Sequence, residues 1–402
     1  WQIGQLAASA LLSETLLIEL LRIAHGPILE QEGEFFPRKH LIAGALGSLG
    51  NEKRETVLTG ITNGLSDGSA VRLFLLGPFC RSTWKFVDAL DEGARGKYWN
   101  EVAPDWIKES DDERNEAVNR LLDAQRPRAA FSCVRFHLRK LDTRLLSRLL
   151  SDMLKDGNDK PGHYQLEEYY VQEAFKHITS SSELTLEQKA GLEFGYIDAL
   201  AHPWRGRENQ GIPNLERYVE MHPELFVQAV ICAYKRDDNA TDPPELRVAP
   251  ENIKHMAQRS YKLLERLQRI PGHNDLGELE TNQLAKWVKA VRDSCTDLAR
   301  GEIGDICIGK LLSSAPVGND GVWPCEPVRQ VMEDLRSRSV MRGAQTGRYN
   351  ARGVQYRGEG GNQERALAQE YRKWAEAVQL THPYVSSELL MDMVKTYEVD
   401  AS

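Results

Sequence analysis

The stretch covering residues 110–154 constrains the fold most, because it contains three helix-length segments with very short breaks between them. Its apolar residues recur three or four positions apart, which is the spacing of one buried face on a helix. Ser110 followed by Glu113 is typical of a capping box at a helix start. Pro127 suits a first helical turn, and Asp142 is a residue type that caps helices. The pattern predicts three consecutive amphipathic helices.

The middle segment carries a second apolar face, formed by Ala129, Cys133 and Phe136. Helices of similar length joined by minimal connections fold back on one another, and a simple two-helix hairpin would leave this second face exposed to water. We therefore predict an all-α fold, namely an α-solenoid of stacked antiparallel helical hairpins of the HEAT or TPR kind. One exception is expected near the C-terminus, where residues 348–357 (RYNARGVQYR) predict a small β-hairpin or irregular insertion.

The distribution of glycine, proline and polar residues along the 402-residue chain predicts three regions. Residues 1–155 form an N-terminal helical-repeat array, and residues 163–300 form a second helical region with polar loops. Residues 301–402 form a glycine- and arginine-rich segment that two C-terminal helices close. Because the sequence begins inside an apolar helix without an initiating methionine, we also expect a further domain upstream in the same polypeptide.

Net charge and cysteine content limit the partners and the cellular compartment that we expect for this chain. The net charge of −8 argues against wholesale attraction to nucleic acid or to an anionic membrane surface. The leucine-rich segment 1–24 is interrupted by charged residues and lacks the run of about 18 apolar residues that a membrane span needs. The six cysteines are scattered and form no CxxC pair, which indicates free thiols in a reducing compartment. We expect a cytoplasmic protein that makes no contact with a membrane.

The familiar catalytic motifs are incomplete in this sequence. Residues 304–310 (GDICIGK) match a phosphate-binding loop up to its lysine, but Leu311 stands where a serine or threonine hydroxyl would hold magnesium. No HExxH motif, no histidine pair four residues apart and no GxSxG motif occurs. Clustered carboxylates of the kind that hold a nuclease metal are also missing. We expect no catalytic activity, no cofactor and no metal site in this chain.

The first candidate binding segment is a polar loop that contains His202, Trp204, Arg205 and Arg207. A flat aromatic ring beside guanidinium donors suits a carboxylate, a phosphate or a peptide as ligand. An ordinary loop between helices, capped by its own charges, would have the same composition, and the sequence alone leaves both interpretations open.

The second candidate segment starts at Arg336 and ends at Lys373, and it holds nine basic residues against three acidic ones. Aromatic residues are interleaved with these bases, a combination that serves phosphate contact and base stacking in nucleic-acid-binding proteins. The predicted binding residues are Arg348, Tyr349, Arg352, Tyr356 and Arg357. The alternative is a buried polar plug, in which the arginines donate hydrogen bonds to loop carbonyls and to neighbouring acids.

Five segments of the sequence resemble the C-terminal portions of large, mostly uncharacterised bacterial proteins, and the resemblance covers about residues 85 to 399. The segments are GLEFGYIDAL, PNLERYVEMHPELFVQAVICAYKRDD, RGEIGDICIGKLL, DGVWPCEPVRQVMEDL and NARGVQYRGEGGNQERALAQEYRKWAE. The resemblance implies a helical-repeat tail that follows an NTPase-like or effector domain, in genomic settings typical of phage defence. These motifs carry no catalytic residues, so the tail is expected to sense, scaffold or bind.

Two functions remain open at this point. The first is a non-catalytic protein-recognition or scaffolding module, a sensor whose partner is another protein or the upstream domain of the same polypeptide, because a solenoid offers a long concave surface. The second is a module that senses nucleic acid through the basic segment between Arg336 and Lys373.

Overall fold

The computed structural model describes residues 1–10, 13–26, 37–105, 107, 110–155, 159, 168–201, 211–353 and 361–402. Within these ranges the chain is helical and contains no β-strand, which confirms the prediction of an all-α fold. Among the described residues, one antiparallel bridge joins His273 to Leu279 in a loop. None of the described helices is both long enough and apolar enough to cross a membrane.

The chain divides into two compact units, Trp1–Leu184 and Thr185–Ser402. This boundary lies at a different place from the breaks near residues 156–162 and 300 on which the three predicted regions rest, and that three-region division stays a prediction. The helices of the first unit are α1 (Gln2–Ser9), α2 (Glu14–His25), α3 (Pro37–Ser48), α4 (Asn51–Thr62), α5 (Asp67–Phe74), α6 (Arg81–Asp88), α7 (Glu92–Glu101), α8 (Asp111–Asp123), α9 (Pro127–Val134), α10 (Thr143–Met153) and α11 (Glu168–Ser180).

Helices α8, α9 and α10 are the three segments predicted between residues 110 and 154, and they pack against one another. Their starts follow the local sequence signals. The Ser110 hydroxyl accepts a hydrogen bond from the Glu113 amide at 3.1 Å, and the Asp142 carboxylate accepts one from the Leu145 amide at 2.9 Å. Pro127 is the first residue of α9. These groups satisfy amides that a helix start would otherwise leave without a partner.

The predicted second apolar face of α9 is only partly correct. Ala129 and Cys133 are buried, but Phe136 is 50% exposed. The helix ends at Val134, and the chain continues as the 3-10 turn Arg135–Lys140. The tighter winding of a 3-10 turn rotates the following side chains away from the α-helical face. The Phe136 ring consequently lies under the Arg135 guanidinium, 4.9 Å from its centre.

The second unit is also built from successive helices, and long connections occupy residues 234–252, 267–280 and 313–325. Its helices are α12 (Leu186–Gly195), α13 (Ile197–Leu200), α14 (Pro213–Met221), α15 (Pro223–Ala233), α16 (Ile253–Arg266), α17 (Thr281–Asp297), α18 (Gly301–Leu312), α19 (Glu326–Leu335), α20 (Arg338–Asn350), α21 (Asn362–Val378), α22 (Pro383–Val385) and α23 (Met391–Asp400). In both units, most helices pack against the next helix or the next but one along the chain.

Helices α18 and α20 approach each other unusually closely. A Cβ atom on Gly309 would lie 2.0 Å from the Val340 carbonyl oxygen, and one on Gly343 would lie 2.1 Å from the Ile306 carbonyl oxygen. Both distances are far below van der Waals contact, so only glycine allows the two backbones to meet in this way. Residues 304–310, which partly match a phosphate-binding loop in sequence, lie inside α18, which begins at Gly301. Lys310 forms an ion pair with Glu265.

The prediction of a β-hairpin over residues 348–357 is wrong for its first strand, because residues 348–350 form the last turn of α20. Val340, Met341 and Ala344 give this segment a buried helical face, and Gly343 lies at the contact with α18. Gly343, in the segment predicted to be rich in glycine, thus serves helix packing. Residues 354–360, which include the predicted second strand, lie outside the described residues.

The irregular segment 237–250 is fastened to the second unit by one buried arginine. The Arg300 guanidinium donates two hydrogen bonds to the Asp242 carboxylate, at 2.8 and 2.7 Å. Its Nε donates to the Tyr234 carbonyl oxygen at 3.0 Å. The paired charges and the filled donors hold this proline-rich segment against the helices on either side.

Candidate binding cleft

Two of the predicted binding residues, Arg348 and Arg352, lie against aromatic rings of the second unit. The Arg348 guanidinium carbon is 4.8 Å from the centre of the Trp323 ring, and its Nε donates a hydrogen bond to the Tyr371 hydroxyl at 3.1 Å. The Arg352 guanidinium carbon is 5.1 Å from the centre of the Tyr397 ring. Cations over aromatic faces are attracted by the ring quadrupole, more strongly where water is excluded.

Tyr349, another predicted binding residue, completes this group, which we call the aromatic cluster: Trp323, Tyr349, Tyr371, Trp374 and Tyr397. The Tyr349 ring stacks on Tyr397 with a centroid distance of 5.9 Å, and its hydroxyl donates to the Asp400 carboxylate at 2.8 Å. Trp323, Tyr371 and Tyr397 are buried, and burial raises the pKa of Tyr397 to about 12. The buried rings are covered by other side chains and offer no free face to a base.

This arrangement resembles the buried polar plug described as the alternative for this segment, but aromatic rings take the place of the expected loop carbonyls. One acid takes part as expected, since Arg352 lies 3.6 Å from the Glu364 carboxylate. Ligand binding by Arg348, Tyr349 and Arg352 stays a prediction. The other predicted binding residues lie outside the described residues, and they are His202, Trp204, Arg205, Arg207, Tyr356 and Arg357.

A cleft of about 880 Å³ opens in the second unit, between the start of α14 and two loops. One loop covers residues 267–280 and the other covers residues 313–325. Ile270 and Cys325 are buried at its base, whereas Pro316 and Val317 are exposed at its edge. The cleft combines apolar contact surface with charged side chains, which is the composition of many ligand-binding sites.

Glu220, in the last turn of α14, fixes the first loop. Its carboxylate accepts hydrogen bonds from the amides of Gly272 and His273, at 3.0 and 2.9 Å, and from the His273 ring. Arg269 donates to the other carboxylate oxygen. Burial opposes ionisation of Glu220, but these hydrogen bonds hold its pKa below the usual value. The loop is therefore held by a charged anchor that lies behind the cleft.

Arg329 fixes the second loop in a similar way and is only 2% exposed. Its guanidinium donates to the Asp320 carboxylate and to the carbonyl oxygens of Val322 and Pro324, at 3.2 and 2.9 Å. The hydrogen bond from Arg329 lowers the pKa of Asp320. The opposite side of this loop carries Trp323, whose indole donates to the Ala315 carbonyl oxygen at 3.0 Å. One loop thus contributes to both the cleft and the aromatic cluster.

Four charged side chains line the cleft, and two of them are neutralised by the anchors just described. Arg269 is paired with Glu220, and Asp320 is paired with Arg329. The two that remain are Glu216 and Glu326, each in the first turn of its helix. The cleft accordingly has an excess of two carboxylates.

These two carboxylates differ in their surroundings. One oxygen of Glu216 accepts hydrogen bonds from the amides of Gln268 and Arg269, at 2.6 and 3.2 Å, and burial raises the pKa of this carboxyl group. Glu326 is exposed and makes no hydrogen bond or ion pair with any residue in the described part of the chain. No group of three histidine, cysteine or acidic residues among those described could hold a metal ion.

Comparison of the sequence with protein-family models and with curated proteins gives no match. The two carboxylates are 110 positions apart in the sequence, so no short motif contains both of them. The only local signal is that each lies beside a helix start marked by proline, Pro213 and Pro327. Such a signal predicts an acidic first turn but does not predict that two first turns face one cleft.

Proposed function

We propose that this chain is a non-catalytic protein-recognition or scaffolding module of a larger bacterial protein. Its helices are proposed to stack as an α-solenoid of helical hairpins, because most of them pack on the next helix or the next but one. Contacts that are mainly between sequence neighbours are typical of repeat arrays, and such arrays present extended binding surfaces. A cytoplasmic role in phage defence is part of the same proposal and rests on the sequence resemblance.

The cleft between α14 and the two anchored loops carries this proposal. Its volume of about 880 Å³ lies in the range of ligand-binding sites, and it is open along one side. Its apolar edge and its two carboxylates could contact several consecutive residues of a partner protein. Because Glu220 and Arg329 anchor the walls, a partner would bind a largely preformed surface, which lowers the entropic cost of association.

Protein is favoured over nucleic acid by the charges of the described residues. The cleft carries an excess of two carboxylates, which would repel phosphate groups. Arg348 and Arg352, the central bases of the nucleic-acid alternative, already contact aromatic rings. A nucleic acid bound elsewhere on the basic segment is the competing outcome of the experiment below.

Site-specific photocrosslinking tests the proposed function. A photoreactive amino acid replaces Val317 at the edge of the cleft, and the matched control places the same group at Val399, an exposed position on α23. We expect the Val317 probe to crosslink a defined protein in bacterial cells that carry the full-length gene, and the Val399 probe to leave that protein unmodified. Crosslinks to RNA or DNA instead, or ATP hydrolysis or nucleic-acid cleavage by the purified chain, would overturn the proposal.

A further inference from the structure

The unmatched charge of the cleft restricts what a partner can present there. A carboxylate that is partly removed from water is unfavourable unless a cation or hydrogen-bond donors compensate it. One oxygen of Glu216 accepts two amide hydrogen bonds and Arg269 is a nearby cation, but burial still raises the pKa of Glu216, so these groups do not fully stabilise its ionised form. A ligand with a positive charge would supply the remaining compensation for Glu216 and would form an ion pair with the exposed Glu326.

The uncharged polar groups of the cleft suit a peptide backbone. The side chains of Gln268, Ser314 and Asn319 are exposed and make no hydrogen bond within the described part of the chain. An extended peptide carries unpaired amides and carbonyls that need such partners. Beside them, the exposed Pro316 and Val317 provide apolar contact for the peptide's side chains.

We infer that the cleft binds an extended peptide segment of a partner protein that contains a lysine or arginine, whose positive charge is neutralised by Glu216 and Glu326. This inference rests on the proposed function and names the chemical class of the partner. Electrostatic complementarity of this kind sets specificity more than affinity, so the prediction concerns which peptides are selected.

Selection from a library of random eight-residue peptides tests the inference, with the full chain as bait. We expect lysine or arginine to be enriched in the selected peptides. Glu326→Lys should reverse the preference at one position towards aspartate or glutamate. Glu251→Lys is the matched control, because Glu251 is also exposed, adjoins a proline and lacks a partner among the described residues, but lies outside the cleft. This variant should select the same basic peptides as the unmodified chain.

Affinities for one selected peptide then quantify the contribution of each carboxylate. Glu326→Gln should weaken binding roughly two- to fivefold, as expected for an exposed ion pair. Glu216→Gln should weaken it on the order of tenfold, because a charged hydrogen bond at a partly buried position contributes more. Circular dichroism of each variant verifies that the fold is kept, and the exposed Glu326 provides a readout even if Glu216→Gln loosens its loop.

The outcomes separate the inference from the proposed function. Selection of apolar peptides without a basic residue, together with a protein crosslink at Val317, would overturn the inference and leave the proposed function standing. Failure of both the selection and the crosslink would overturn both. Full competition by spermidine at micromolar concentration would show that the ligand is a small amine, and enrichment of acidic peptides by the unmodified chain would show that the sign of the charge is wrong. Either result rejects a basic peptide.

Discussion

The aromatic cluster and the cleft share the loop of residues 313–325, but they use their charges in opposite ways. In the cluster, Arg348 and Arg352 lie on aromatic rings and no ring that is buried keeps a free face. In the cleft, Glu326 makes no ion pair with any described residue, and Glu216 is compensated only in part by Arg269, which itself pairs with Glu220. The arginines and aromatic residues that the sequence most strongly predicts to bind a ligand pack against each other here. The two acids that line the cleft look like ordinary helix-start residues in the sequence.

The largest effect is expected from Arg329→Met, which removes the anchor of the shared loop. The substitution removes the Arg329 donor from the Pro324 carbonyl oxygen, leaves the Val322 carbonyl oxygen with the Gly318 amide alone and leaves Asp320 without its cation, so the free energy of unfolding should fall by about 3 kcal/mol. Urea unfolding followed by tryptophan fluorescence measures the change. Arg338→Met is the control, because the Arg338 side chain is 89% exposed. A loss below about 0.5 kcal/mol would show that the loop holds its shape without Arg329.

The double variant Arg348→Ala, Arg352→Ala tests the aromatic cluster alone. Removal of two partly buried cation–π contacts and of the packing of both stems should lower the free energy of unfolding by roughly 2 kcal/mol. The matched control is Arg338→Ala, Arg342→Ala, also two arginines four residues apart, whose side chains are 89% and 71% exposed. Unchanged stability of the first variant combined with lost nucleic-acid binding would make these arginines a ligand site.

Acid titration should reveal the ion pair between Asp320 and Arg329. Because the folded pKa of Asp320 is lowered from its ordinary 3.8, its contribution to stability is present above that pH and is lost as the pH falls through the folded pKa. Asp320→Asn should therefore be less stable than the unmodified chain at neutral pH, and the two should converge below pH 3.8. Thermal melts at several pH values measure the difference in melting temperature between the two proteins. A difference that does not change with pH would exclude the ion pair between Asp320 and Arg329 as its cause.

The smallest effect on stability is expected at Glu216. Its pH dependence is opposite in sign to that of Asp320. Burial raises the folded pKa of Glu216 above its ordinary 4.5, so the group reduces stability as the pH rises from 4.5 through the folded pKa. Glu216→Gln should remove this decrease, and its melting temperature relative to the unmodified chain should rise across that interval. A saturating basic peptide should diminish the difference, because its cation compensates the carboxylate. A relative melting temperature that falls instead would show that Glu216 is already compensated.

The sequence predicts local features of this molecule well and long-range ones poorly. The caps that Ser110 and Asp142 form at the starts of α8 and α10 involve residues three positions apart, and the structure shows both. The predicted burial of Phe136 is wrong because no local signal ends α9 at Val134. Gly343 lies in the segment predicted to be rich in glycine and arginine, and a glycine at a helix contact looks like a glycine in a turn when only the sequence is known.

The close contact of α18 with α20 also has a mechanical consequence. Sliding one helix along the other would carry Gly309 and Gly343 away from the carbonyls they face and bring larger side chains into a gap that accepts none. The pair should therefore move as one strut. The loop of residues 313–325 leaves this strut at the same end as Arg348, since a Cβ atom on Gly347 would lie 2.2 Å from the Ser313 hydroxyl oxygen. A displacement of this loop at the cleft would therefore act directly on the end of the strut that carries Arg348 against the Trp323 ring.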